Sequence, residues 1–128
     1  ITPERGEIVV TGANGGVGSF AVAVLAKLGY QVVAVTGKNA ELALKRGATR
    51  TLTREAILDK SPAPLGKSLW AGAVDSVGGE TLASIIRNTQ QYGCVTACGL
   101  VGGVELPLTV YPFILRGVSL IGIDSVHV

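Results

Sequence analysis

The sequence predicts an α/β domain: a doubly wound parallel sheet of about six strands with helices on both faces. Three observations carry this. Short apolar, β-branched runs alternate with alanine- and leucine-rich segments, as successive βαβ crossovers require. The runs are apolar throughout rather than at every second residue, the signature of strands buried on both faces. Right-handed crossovers then leave few topologies other than the doubly wound one. At 128 residues, 48% of them apolar, the chain is one domain, long enough to bury a core without metal or disulfides.

Each element follows in order. Residues 7–11 are the first buried strand, and they pass directly into Gly12-Ala13-Asn14-Gly15-Gly16-Val17-Gly18. Residues 19–28 form a helix, buried on most sides, that ends at Gly29 as a left-handed cap. Residues 31–36 are the second strand; Asn39 caps a short helix over 40–46 that stops at Gly47. Residues 50–52 are a brief edge strand and 54–59 a helical turn, before Pro62 and Pro64 break regular structure. The run 71–77, an apolar stretch interrupted by Asp75, is the fourth strand. Residues 80–92 read as a helix closed by Gly93, with Leu82, Ile85, Ile86 and Thr89 at helical spacing. Residues 94–98 are the fifth strand, 108–115 a short turn or helix, and 118–123 a sixth strand within an apolar run continuing to residue 128.

Composition excludes several classes of function. Cys94, Cys98 and the single histidine, His127, supply no ligand set for a structural zinc, and the cysteines read as small buried apolar groups. Eleven basic and nine acidic residues, net charge +2, are scattered and form no nucleic-acid surface. No apolar run reaches the ~18 residues that span a bilayer, and no secretory leader is visible, so the cytoplasm is the expected compartment. The chain opens on Ile1 and closes in a strand-like run, so it is expected to be a piece of a longer polypeptide. Eighteen glycines, about twice average usage, show no repeat and must answer local backbone demands.

The glycine-rich stretch at 12–18 lies between the first strand and the first helix, the context in which such a pattern binds a dinucleotide. Glycines there permit positive φ, let the backbone approach a pyrophosphate and let helix and strand pack closely; N–H groups at the helix start face the anion. Asn14, Gly15, Gly16 and Val17 are the candidate contacts. An unliganded flavodoxin-like receiver is the bland alternative, but it would place acidic or hydroxyl residues at this turn. An acid at the end of the second strand would hold the adenosine ribose and repel a 2′-phosphate. Thr36, Gly37 and Lys38 stand there instead, so NADP(H) is the expected cofactor, with Lys38 a point charge for the 2′-phosphate and Thr36 a donor. Arg54 closes over the same phosphate or is a surface arginine. Ser76, Val77, Gly78 and Gly79, and residues 98–103, end later strands and are expected to line the same crevice. Asp75 is read as a structural group bonded to backbone in preference to a partner of the ribose.

The stretches 10–18, 29–38, 70–78, 93–103, 112–116 and 122–126 together cover most of the chain, and the chain resembles the nucleotide-binding domain of the medium-chain dehydrogenase/reductase superfamily. Within it the resemblance is to the zinc-independent quinone-oxidoreductase branch and its acrylyl-CoA reductase group, to which 70–78 and 112–126 are the more specific pointers. That resemblance implies a Rossmann-type NADPH-binding domain. Backbone of Gly16 and Val17 would hold the pyrophosphate, Thr36 and Lys38 the 2′-phosphate, and Val77, Cys98, Gly99, Leu100 and Ile123 the nicotinamide half. Hydride would pass to the β-carbon of an enoyl thioester such as acrylyl-CoA, or to a quinone. It further implies an amino-terminal, GroES-like catalytic domain and a returning carboxyl-terminal tail outside these residues, so no residue here is catalytic and the isolated chain is expected to be inactive. Subunits would pair, with the 118–123 edge strand a place for sheet extension.

Two competing readings remain. The glycine pattern also fits short-chain dehydrogenases, but those carry a Tyr with a Lys four residues later, and here Tyr30, Tyr92 and Tyr111 are followed at that spacing by Ala34, Thr96 and Leu115. A module that senses NADP(H) without turnover is the other.

Overall fold

The computed structural model describes residues 1–124; residues 125–128, with His127 and the end of the apolar run, lie outside the described residues. Strands β1 (Ile8–Val10), β2 (Val32–Val35), β3 (Arg50–Leu52), β4 (Trp70–Asp75), β5 (Thr89–Ala97) and β6 (Ser119–Gly122) form one parallel sheet in the order β3-β2-β1-β4-β5-β6. Helices α1 (Gly16–Lys27), α2 (Ala40–Lys45), α3 (Gly79–Arg87) and α4 (Tyr111–Arg116) connect them. The winding reverses between β1 and β4, which lie side by side, and a crevice opens beyond the carboxyl ends of strands at such a switch point.

Alternate residues of the buried strands feed two cores. Val9, Val33, Val35 and Val95 pack with Ile85, Ile86 and Leu82 of α3; Val10, Val32 and Ala34 pack on the other face with Val22 of α1 and Ala43 of α2. Ile85 and Ile86 are wholly buried, and truncating either to alanine should destabilise by about 2–5 kcal/mol. Two helix ends are set by glycine. Gly29 (φ +93) and Gly47 (φ +118) take the left-handed conformation, and the following N–H groups of Tyr30 and Ala48 return to the carbonyls of Leu25 and Ala43.

Several elements differ from the sequence expectation. The predicted helix 80–92 ends at Arg87, because Asn88 and Thr89 turn their side chains onto its last carbonyls: Asn88 Nδ2 donates to Ser84 O (2.8 Å) and Thr89 Oγ1 to Ile85 O (2.7 Å). Thr89 then enters β5 opposite Trp70, and the register slips before Gly72 pairs with Cys94. Gly93 therefore caps no helix. It lies in this irregular stretch of β5, where a Cβ would stand 2.3 Å from Thr89 Cγ2, and the neighbouring Tyr92 takes φ +62.

Helix α1 starts at Gly16, three positions before the expected 19, and is buried along one side only, at Gly18 and Val22; Phe20 is 72% exposed. Its alanine content signalled burial, but nothing among the described residues covers the outer side. Asn39 precedes α2 without a side-chain capping bond, in left-handed backbone (φ 55). Residues 54–57 form a single hydrogen-bonded turn, with Leu58 N–H on Glu55 O (3.2 Å), and β4 stops at Asp75 rather than 77. Strand β3 has the expected bounds, β1, β2 and β6 are each two residues shorter than expected, and β5 starts five residues earlier and ends one earlier. Among the described residues no helix is long and apolar enough to cross a membrane.

Candidate functional site

The glycine turn is built by close backbone packing. Gly12 has φ +56, and a Cβ on it would meet Ser76 Oγ at 2.5 Å, so β1 leaves the sheet hard against the end of β4. A Cβ on Gly18 would lie 2.1 Å from Gly12 O, so the first turn of α1 rests directly on the turn before it. Around Gly16, by contrast, a Cβ would meet nothing within 4 Å. Ala13 N–H donates to Val35 O (3.2 Å) and Gly15 N–H to Gly12 O (2.9 Å), fixing the turn against the end of β2. The first N–H groups of α1 are those a helix leaves without internal partners, and the glycines keep their approach clear.

Beside the turn lies a cavity of about 460 Å³ lined by residues 12–15, residues 35–39 and Arg54. No carboxylate lines it. Lys38 and Arg54 do, and among the described residues neither side chain is held by a hydrogen bond or an ion pair. The Arg54 guanidinium lies over Gly37, where a Cβ would stand 3.0 Å from its Cζ, so a side chain at 37 would push the arginine back from the loop by a few tenths of an ångström. Thr36 is nearly buried, with its N–H on Leu52 O (3.0 Å). Two free cations and no acid make a pocket for an anion.

A second cavity, of about 540 Å³, shares Gly12, Gly15, Val35 and Arg54 with the first, so the two are one crevice. Val35, Ile57, Val77 and Val101 give it apolar walls, and Thr11, Ser76 and Thr81 polar edges. A third, of about 530 Å³, lies past the ends of β5 and β6, lined by residues 97–100 and 122–124.

The structure thus gathers the expected residues into two groups. Asn14, Gly15, Thr36, Gly37, Lys38 and Arg54 surround the first cavity and Val77 the second, while Cys98, Gly99, Leu100 and Ile123 line the third. Gly16 and Val17 line none of them and stand exposed at the start of α1. Thr11, Ile57 and Thr81 were not among the expected residues. Thr81, two positions after Gly79 at the head of α3, was traceable from the helix start; Ile57 sits in an irregular turn and carried no signal.

Asp75 itself lines none of the three cavities and is bonded inside the fold. Wholly buried, its carboxylate accepts Thr11 Oγ1–H (2.7 Å) and Gly78 N–H (2.7 Å), while Ser76 N–H donates to Thr11 Oγ1 (3.0 Å). The carboxylate ties the end of β1 to the loop after β4, the structural role expected of it. Cys98, past the end of β5 and only partly buried, donates its thiol to Asp75 O (3.2 Å); burial, then the Asp75 charge, push its thiol pKa up.

A profile of the zinc-binding dehydrogenase family matches residues 16–127. Acrylyl-CoA reductase AcuI of Ruegeria pomeroyi is 50% identical over 128 residues, covering 98% of this chain and 39% of that protein. The crystal structure of Bacillus subtilis protein yhfP with NAD bound is similar at a TM-score of 0.95 and 52% identity, over 100% of this chain and 40% of that one. The crystal structure of Escherichia coli K-12 YhdH with bound NADPH is similar at 0.93 and 54%, over 100% of this chain and 40% of that one. The chain spans 39% of the length of the curated relatives it matches.

Proposed function

The chain belongs to the zinc-binding dehydrogenase family, and from that premise we propose that it is the NADP(H)-binding domain of a longer reductase acting on an enoyl thioester or a quinone. The observation that carries the cofactor is the acid-free pocket at the end of β2, where Lys38 and Arg54 stand unpaired. A carboxylate there would accept the ribose hydroxyls of NADH and repel a 2′-phosphate; two cations do the reverse. The similarity to a structure with NADPH bound supports this reading, and the one with NAD bound makes the choice worth measuring.

The glycine cradle fits a dinucleotide. In this reading Gly15, Gly16 and Val17 offer backbone N–H groups to the pyrophosphate, Thr36 and Lys38 hold the 2′-phosphate, and Arg54 closes over it from Gly37. The adenine lies between the apolar walls of the second cavity, and Val77, Cys98, Gly99, Leu100 and Ile123 border the nicotinamide half. When bound, NADPH supplies the hydride. This chain's residues bind and orient it; a catalytic domain and the substrate pocket lie in the rest of the polypeptide, as the 39% span of the relatives supports. The thioester rests on the acrylyl-CoA reductase name of that relative. The family's name carries a metal that these residues do not accommodate: among those described, no group of three or more His, Cys, Asp or Glu could hold one. In the full protein β6 pairs with a second copy, since it is an edge strand with Ile121, and Ile123 just past its end, half-exposed.

Calorimetric titration with NADPH and NADH tests the cofactor. NADPH should bind more tightly, and Lys38→Ala should remove about 1–3 kcal/mol from NADPH alone, the worth of hydrogen bonds to charged groups. Tighter NADH binding would overturn the reading. For the parent protein, NADPH oxidation by enoyl thioesters or quinones is expected; binding without turnover across such a panel would favour a sensor.

A further inference from the structure

Asn14 sits in the glycine turn, yet its side chain is committed to the neighbouring loop. Its Nδ2 donates to Lys38 O (2.7 Å) and Asn39 O (3.2 Å), and its Oδ1 accepts from Arg46 Nη1 (3.3 Å). Both amide hydrogens are used, so Asn14 has none left for a ligand. Arg46 is the C-cap residue of α2 and lines none of the crevice cavities, but α2 has only 6 residues, and the side chain reaches Asn14.

A guanidinium donates and cannot accept. Facing Arg46, the Asn14 amide can present only its oxygen, so its nitrogen must face the two carbonyls. With the amide reversed, Oδ1 would oppose two carbonyl oxygens and the NH₂ would oppose the guanidinium. Arg46 and the two carbonyls therefore favour one and the same orientation of Asn14, with Arg46 holding the oxygen side. The consequence reaches the anion pocket, because Lys38 O and Asn39 O belong to the loop that lines it, and carbonyl oxygens free to face a phosphate would repel it. Bonding to Asn14 occupies them and steadies Asn39 in its left-handed backbone (φ 55).

We propose that Asn14 and Arg46 are positioning residues for cofactor specificity, holding the 36–39 loop in the form that accepts a 2′-phosphate. The inference rests on the NADP(H) reading. It requires that Arg46, which does not line the pocket, matter to NADPH and not to NADH.

The test measures affinity for both cofactors, and thermal stability, in the wild-type chain and in Arg46→Met, Arg46→Gln and Asn14→Ala. Arg46→Met should lower the NADPH-to-NADH affinity ratio about two- to tenfold, the worth of one hydrogen bond. Arg46→Gln, which keeps a donor but no charge, should restore most of the ratio. Asn14→Ala should lower it too, and the Asn14→Ala, Arg46→Met double variant should lose no more than the single variants. If Gln behaves as Met does, the charge alone acts and the inference fails. It fails equally if both cofactors weaken in step with falling stability, or if Arg46→Met leaves the ratio unchanged. A wild-type chain with no preference for NADPH would instead overturn the cofactor reading itself.

Discussion

The two ends of the crevice are built differently. At the end beside β2, every part is tied to another: Gly18 rests on Gly12 O, Ala13 on Val35 O, Asn14 on Lys38 O and Asn39 O, and Arg54 on Gly37. At the end beyond β5 and β6, backbone bonds shape the floor, Cys98 N–H to Asp75 O and Ile123 N–H to Ala97 O, but the walls stand open, with Leu100 62% and Ile123 47% exposed. One end is finished within this chain and the other is half a pocket. Binding energy should therefore concentrate at the first. Loss at the finished end should be felt as folding and affinity together, because the same contacts serve both.

The strongest way to break that comparison is Gly18→Ala. Its Cβ would meet backbone at 2.1 Å, an atom with no flexible side chain to yield. We expect destabilisation of about 1–3 kcal/mol or more, as for overpacked cores, with cofactor binding lost alongside. Gly16→Ala is its counterpart: nothing stands within 4 Å of the new Cβ, so urea unfolding should be nearly unchanged while NADPH affinity falls, if the pyrophosphate occupies that space. Should the two variants behave alike in urea and in NADPH titration, the turn is not the close-packed cradle described.

Asp75→Ala comes next, and it should reach both ends at once. Removing the carboxylate leaves Gly78 N–H and Thr11 Oγ1 without their buried acceptor, at about 1–3 kcal/mol for each group left unsatisfied. Thr11 leads into the glycine turn and Gly78 bridges to Gly103 near the open end, so stability and NADPH affinity should fall together. An affinity loss without a stability loss would move Asp75 from structure to ligand.

Much of this was legible because it depends on local chemistry. Gly29 and Gly47 end their helices as expected since the left-handed residue and its return bond are encoded within a few positions. The acid-free end of β2 is likewise a matter of three adjacent residues. What escaped depends on partners far along the chain. Thr89 reads as helical until Trp70 pairs with it as a strand. Asn39 reads as a cap, but Asn14, 25 positions away, takes its carbonyl. Ile57 becomes a pocket wall only when its turn folds beneath β4, and α1 reads as buried because composition does not reveal which side finds a neighbour.

The smallest expected effect lies at the opposite edge of the sheet, before β1 and at the start of β3, and it serves as the control. Glu7 accepts both Nε–H and Nη2–H from Arg50 at 2.8 and 2.9 Å, and that bond holds its pKa below the ordinary carboxylate value although partial burial opposes it. A carboxylate whose pKa is lower folded than unfolded contributes stability above its unfolded pKa, about 4.3, and loses it as pH falls through the folded value. The side chains are 48% and 26% exposed for Arg50 and Glu7, so solvent screening keeps the contribution below about 1 kcal/mol. Glu7→Gln should therefore flatten a small part of the acid-side fall in stability and reduce stability at pH 7 by no more than that. NADPH affinity should not change, because no crevice residue bonds to this pair. If it did fall, the division between a self-contained binding end and the remainder of the sheet would be drawn in the wrong place, and the β1–β2–β3 half would have to be treated as one coupled unit.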